Sequence, residues 1–240
     1  MNKNLFVITP NWQTIINIVA LLFSVHGVYM LSSGESLWWI GLSFIVYSVF
    51  NISVTAGFHQ LFTHRSYSCN KFWEYLFTIC GTLAFQGSSI SWVHLHYVHH
   101  NTSDTTEDPH VRSLWFFIFK KYNSVIVKPS KNVMTLLKDP MHKALHTYGG
   151  LLCILFSVVL YLIDYKLFVF GYMLPVAYFY LAVSCHQIFT HIGNKPVDVP
   201  FFILLFPWAD WNHVKHHERP SDIKNGGWCL SYEFIKLIQK

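Results

Sequence analysis

Ten of the fifteen histidines in this 240-residue chain fall into two short patterns, each written twice. The pattern HxxHH occurs as His96, His99 and His100, and again as His213, His216 and His217. The hexapeptide HQ[LI]FTH runs from His59 to His64 and from His186 to His191. At this histidine frequency HxxHH should arise by chance about 0.06 times in the chain, so two copies point to a device. On a helix the positions i, i+3 and i+4 share a face, and each HxxHH brings three imidazoles to one small volume. The i, i+5 pair of the hexapeptide lies about 140° apart on an ideal α-helix. Those two rings share a face only where the helix ends or bends between them.

Imidazole nitrogens suit zinc, copper, iron and nickel alike, so ligand type does not name the metal. Nine or ten imidazoles exceed one coordination sphere but fit two ions with open positions. Soluble di-iron bundles combine carboxylates with two Glu-x-x-His motifs; only one occurs here, Glu107 to His110. Cys69, Cys80, Cys153, Cys185 and Cys229 show no CxxC spacing, which argues against a thiolate zinc site or a disulfide framework. No Gly-rich phosphate loop or G-x-S-x-G elbow is present. An all-histidine dinuclear site beside a membrane, with positions free for dioxygen, is the reading left.

The elements that must position these side chains are membrane helices. The chain is 52% hydrophobic and 12% charged, against about 25% charged in soluble domains. Residues 4 to 34, 36 to 64, 144 to 163 and 167 to 194 carry no Lys, Arg, Asp or Glu. A bilayer core needs about 20 apolar residues per helix, which places spans near 12–31, 37–56, 144–163 and 167–186. Pro10, Asn11 and Trp12 precede the first span in place of a basic segment, so it reads as a span rather than a signal peptide. Of seventeen Lys and Arg, only Lys166 lies in the two short loops. The positive-inside rule then puts both termini, residues 57–143 and residues 187–240 in the cytoplasm. The +5 charge reads as topology signalling on a face suited to anionic lipids, and no nucleic-acid partner is expected.

The expected fold is therefore all-α and integral to the membrane: four transmembrane helices, a cytoplasmic histidine-rich cap and interfacial helices, in one domain over 1–240. Residues 75 to 91 are nearly long enough to cross. Crossing would separate His96, His99 and His100 from His59 and His64, so the stretch reads as an interfacial or re-entrant helix, eased by Gly81, Gln86, Gly87 and Ser88. Residues 199 to 209 are too short to span and are expected on the surface. Each half of the chain thus has a hairpin, a hexapeptide and an HxxHH, as in a parallel repeat.

TAGFHQLFTHRSY (55–67), WVHLHYVHHNTSDTTEDPH (92–110) and NHVKHHE (212–218) resemble the three histidine boxes of the membrane fatty acyl desaturases, especially the acyl-CoA Δ9 type. The resemblance covers roughly residues 40 to 238 and includes the four-span plan. It implies two irons held by His59, His64, His96, His99, His100, His213, His216 and His217. A further family ligand ends the fourth span, where Asn-x-x-x-His precedes a Gly and a basic-Pro pair. His191, followed by Gly193, Lys195 and Pro196, matches it with one residue fewer before the Gly. Gln187 stands where the family has the Asn that reaches iron through water. His186 mirrors His59, but the family pattern has no histidine there.

The chain also departs from the family. Its second box usually reads W-x-R-D-H-R-x-H-H, whereas His94, Leu95 and Tyr97 replace the charged residues here. Lys120 and Lys121 resemble a basic pair that contacts the acyl carrier, and His110 belongs to a motif taken as positional. No HPGG haem motif is present, so electrons are expected from an external donor such as ferredoxin or cytochrome b5. The resemblance implies dioxygen-dependent insertion of a cis double bond into a fatty acyl chain carried by CoA, ACP or a membrane lipid. The alternatives are a histidine-box hydroxylase or oxygenase and a non-catalytic membrane metal-binding protein. His26, His142 and His146 read as hydrogen-bonded interfacial histidines.

Overall fold

A computed structural model describes residues 10–103, 105, 107–109, 128–192, 195–209, 211–224 and 228–240, with side chains from Ile15 onward. Among the described residues, four helical stretches are long and apolar enough to cross a membrane: Ile15–Ser32, Trp38–His64, Pro140–Ile163 and Tyr165–Phe189. The expected all-α, four-span membrane architecture is borne out, with ends shifted by up to eight residues, most at the second span. The second and fourth stretches are 50% and 67% buried within the protein, the first and third only 17% and 11%. The bundle therefore has two inner spans and two that face outward to lipid.

Helix α1 (Pro10–Ser32) is followed by α2 (Trp38–Ile52), which continues unbroken as a π-helix over Ser53–His64. Arg65, in the left-handed region at φ 54, ends it. Helix α3 (Lys71–Leu83) then descends beside the π-helix and α4 (Ser89–Thr102) returns. After α5 (Lys131–Leu136) come the third span, α6 (Pro140–Ile163), and the fourth, made of α7 (Tyr165–Phe168), a π turn (Val169–Met173) and α8 (Leu174–Phe189). A 3₁₀ turn (Pro200–Leu204), α9 (His213–Glu218) and α10 (Leu230–Ile238) complete the described elements.

The segment 75–91 doubles back between two of the spans, the re-entrant form of the two expected. The Tyr172 hydroxyl donates to the Leu83 carbonyl at 2.8 Å, and Tyr172 lies seventeen residues, about 25 Å of helix, before Phe189. The Cys153 thiol, thirteen residues into α6, donates to Thr82 O at 3.2 Å. The reversal between α3 and α4 uses positive φ at Phe85 (55°) and Gly87 (80°). Glycine takes that conformation freely, whereas a side chain there costs about 1–2 kcal/mol. The buried Phe85 ring packs beside Tyr172, centroids 5.7 Å apart. An irregular backbone is tolerated at this depth because protein encloses it.

Two glycines set the distance between α3 and the π-helix. A Cβ on Gly57 would lie 2.5 Å from Phe77 Cβ, and one on Gly81 would lie 2.6 Å from the Phe58 ring. Each helix thus sinks a phenylalanine into the other's glycine. Both rings are fully buried, worth about 1.5–3 kcal/mol apiece in apolar transfer. Asn132 on α5 donates to Thr63 O at 2.6 Å and ties down the far end of the π-helix.

Candidate metal centre

The π-helix resolves the spacing problem of the first hexapeptide without a break. Its bonds run from i to i+5, so His59 and His64 come to lie one above the other, ring centroids 4.7 Å apart. In the second hexapeptide the helix ends instead. Helix α8 stops at Phe189, Thr190 caps it, and an antiparallel bridge from His191 to Pro196 turns the chain back. His191 then faces His213, while His186 stays on the helix against Trp211 (5.2 Å) and the His213 ring (4.8 Å).

Among the described residues, nine histidines form two adjacent groups, each with ring nitrogens within 4.8 Å of one another: His59, His64, His96, His100 and His216, and His99, His191, His213 and His217. These are the nine residues expected from the sequence. His186 joins neither group, and neither does His94, which is buried within α4. In the first group Nε2 atoms are 3.0 Å apart for His59 and His216, 3.2 Å for His64 and His96, 3.1 Å for His96 and His100, and 3.0 Å for His100 and His216. In the second, His213 Nε2 lies 2.8 Å from His191 Nε2 and 3.0 Å from His217 Nε2. Nitrogens about 2.1 Å from one ion and at right angles around it would be about 3 Å apart.

Neither HxxHH converges on a single volume, contrary to the expectation. Each straddles both groups. The i, i+4 pair His96 and His100 serves the first group while His99 turns to the second; His213 and His217 serve the second while His216 turns to the first. Residues four apart lie on one stripe of the helix, and the residue between them points along a neighbouring stripe. His100 and His217 stack across the boundary with centroids 4.6 Å apart.

Burial, then neighbouring histidines, hold His96, His213 and His216 well below the ordinary imidazole pKa. Burial first and His64 second push His100 down to about 2. These rings are neutral at physiological pH, the form that ligates metal. The buried Asp108 carboxylate lies 3.0 and 3.1 Å from His99 Nδ1, so Nδ1–H donates to it and Nε2 keeps its lone pair. A carboxylate behind an imidazole fixes tautomer and ring orientation and raises basicity. Sequence reasoning missed Asp108; its signal was the EDPH that follows box two.

Gln187, one turn before His191, presents a buried Oε1 with no hydrogen-bond partner among the described residues. That orphaned acceptor, together with nine imidazoles, is a donor set that fits transition-metal ions. Lys120, Lys121, His110 and Gly193 lie outside the described residues. A third set of possible donors, Glu74, Asp139 and His142, already holds a cation: Lys71 Nζ is 2.7 Å from Glu74 and 3.0 Å from Asp139. His142 and His146, expected to be hydrogen-bonded, find their partners on another helix. His142 Nδ1 meets Ser89 Oγ at 2.7 Å and His146 Nδ1 meets Ser88 Oγ at 2.8 Å, clamping the start of α4.

The chain matches no family model. It is 41% identical over 107 residues to the sn-1 stearoyl-lipid 9-desaturase of Synechocystis, covering 43% of this chain and 32% of that protein. It is 30% identical over 221 residues to the sn-1 stearoyl-lipid 9-desaturase of Anabaena variabilis, covering 83% of this chain and 80% of the relative. This chain belongs to the fatty acyl desaturase family. A third member, the probable acyl-CoA desaturase of Schizosaccharomyces pombe, is 26% identical over 95% of the chain, which spans 52% of that protein. Members of the desaturase family are oxidoreductases, and the histidine groups of this desaturase-family chain are its candidate centre. A small cleft, bordered by Thr55, Gln60, Trp208, Ser231 and Tyr232, lies beside His59.

Proposed function

We propose that the chain, acting as a single domain, is a dioxygen-dependent di-iron fatty acyl desaturase that inserts a cis double bond into an acyl chain. The observation that carries the reading is the division of nine imidazoles into two touching groups of five and four. One iron would be held by His59, His64, His96, His100 and His216, the other by His99, His191, His213 and His217. Gln187, one turn before His191, would accept from a water on the second ion. When bound, iron supplies the redox chemistry that reduces dioxygen.

Overall, two adjacent methylenes lose two hydrogens, and dioxygen takes these with two external electrons and two protons to give two waters. The protein's contribution is placement and dryness. His96, His100, His213 and His216, held below the ordinary imidazole pKa, are neutral and ready to ligate, and Asp108 orients His99. Trp92 stacks on His96 with centroids 4.7 Å apart, and the buried Trp211 closes the side next to His186. The substrate is a fatty acyl group on CoA, ACP or a lipid, and the two electrons come from a separate donor such as ferredoxin or cytochrome b5. By the charge bias, the centre and both termini face the cytoplasm.

Expression in a host with membrane electron donors, followed by fatty-acid chromatography with double-bond localisation, tests the reading. A new unsaturated acid should appear and be absent from His99→Ala and His216→Ala controls, with iron in both groups of the purified protein. New hydroxy acids, or zinc with no oxygen consumption, would sink it.

A further inference from the structure

The chain between Asp198 and Asp210 has eleven residues without a charge, VPFFILLFPWA. It neither spans nor lies flat on the histidine cap. The bridge at His191 and Pro196 and the bond from Val197 N–H to Thr190 O (2.7 Å) reverse the chain just past α8. From there it runs back along that helix. Phe202 stacks on Phe189 at the helix end, centroids 5.2 Å apart. Farther on, the Tyr178 hydroxyl donates to the Leu205 carbonyl at 2.6 Å, and Phe206 lies 5.3 Å from the Tyr178 ring. Tyr178 is eleven residues before Phe189, about 16 Å along the helix.

We propose that Pro200–Phe206 is a re-entrant wedge immersed in the lipid of the leaflet on the histidine side. Its outer face carries Phe201, Leu204 and Leu205, exposed to 63%, 85% and 56%. These continue the apolar surface of Phe189 and Ile192 at the end of the fourth span. Several of its backbone groups meet the demand that lipid imposes, that polar groups find partners within the protein. Val199 O accepts from Phe202 N–H and Phe202 O from Leu205 and Phe206 N–H. The Leu205 carbonyl takes the Tyr178 hydroxyl, and Phe206 O takes the Trp211 indole N–H at 3.0 Å. Trp211 lies two residues before α9, so the wedge anchors the third histidine box to the bilayer: Val199 N–H donates to Trp211 O at 3.0 Å.

The test uses the full chain in phosphatidylcholine vesicles, nitroxide-labelled at Leu204→Cys or Phe201→Cys, with the signal of the unsubstituted protein subtracted. Both side chains are exposed, so substitution leaves the packing in place. Leu155→Cys on the outward face of α6 reports the bilayer, and Lys224→Cys reports water. Relaxation by oxygen should exceed relaxation by a water-soluble nickel chelate several-fold at 201 and 204, as at 155. A ratio nearer that at 224 overturns the wedge. Catalytic activity does not enter the measurement, so an inactive chain with the lipid-like ratio leaves the wedge standing.

Discussion

Asp108 faces His99 with both carboxylate oxygens, at 3.0 and 3.1 Å from Nδ1, in a pocket where both side chains are nearly fully buried. A ring so held can offer only Nε2 to an ion. Asp108→Ala should lower metal affinity at the second group by about 10–100-fold, read as iron retained on dialysis against a graded chelator. Unchanged retention would mean that the carboxylate does not orient the ligand.

The paired phenylalanines in glycine seats give a packing test. Gly57→Ala and Gly81→Ala each force a methyl onto a ring with nowhere to go and should cost about 1–3 kcal/mol. Gly150→Ala meets nothing within 4 Å and should leave the thermal midpoint in detergent unchanged or raise it. Equal midpoints for all three would show that the helices separate without strain.

The clamp of α6 on α4 is a buried hydrogen-bond network. His142 joins Ser89 at 2.7 Å and Glu74 at 3.4 Å, and its ring edge meets Phe62, two residues before His64. His142→Phe leaves Ser89 unpaired and should destabilise by about 1–3 kcal/mol. Because Ser89 opens the helix of His96, His99 and His100, metal content should fall with it. Full stability in this variant would remove His142 from the positioning role.

Acid should unfold the metal-free protein from just below neutrality. His96, His100, His213 and His216 have folded-state pKa values beneath the ordinary imidazole value, so below about pH 6.5 the unfolded chain binds more protons than the folded one. Stability is then full above that pH and lost as pH falls, with a slope of up to about 1.4 kcal/mol per pH unit for each such ring. Thermal midpoints of His96→Asn should fall less steeply than those of the unsubstituted chain between pH 7 and 5. Parallel curves would contradict the burial of these rings.

Much of this was legible in residue order. Runs of apolar residues declare spans because bilayer thickness sets their length. HxxHH declares a metal motif because histidine triplets are rare by chance. That 75–91 does not cross followed from requiring the boxes to lie on one side; whether it lay at the interface or entered the bundle did not. The roles of His142 and His146 were not legible, because a histidine at a span entry reads the same whether it meets water or a serine on another helix. The path of 199–209 was expected to be non-spanning and on the surface; its run back along α8 depends on Tyr178, a contact across 27 residues.

The two hexapeptides mark the boundary between the two kinds of information. By itself the sequence determined that ten imidazoles recur in matched patterns at helix ends, which requires only composition and spacing. Tertiary structure alone decided that His59 and His64 share one group while His186 and His191 part. Next to His59, the phenylalanine and glycine seats of α3 pack along a π-wound segment whose i+5 pitch aligns the pair. At His191 the chain leaves the helix at Thr190 and turns back. Near-identical local sequences adopt different windings because backbone pitch differs by little energy within a residue's own neighbourhood, and the packing of distant elements tips it.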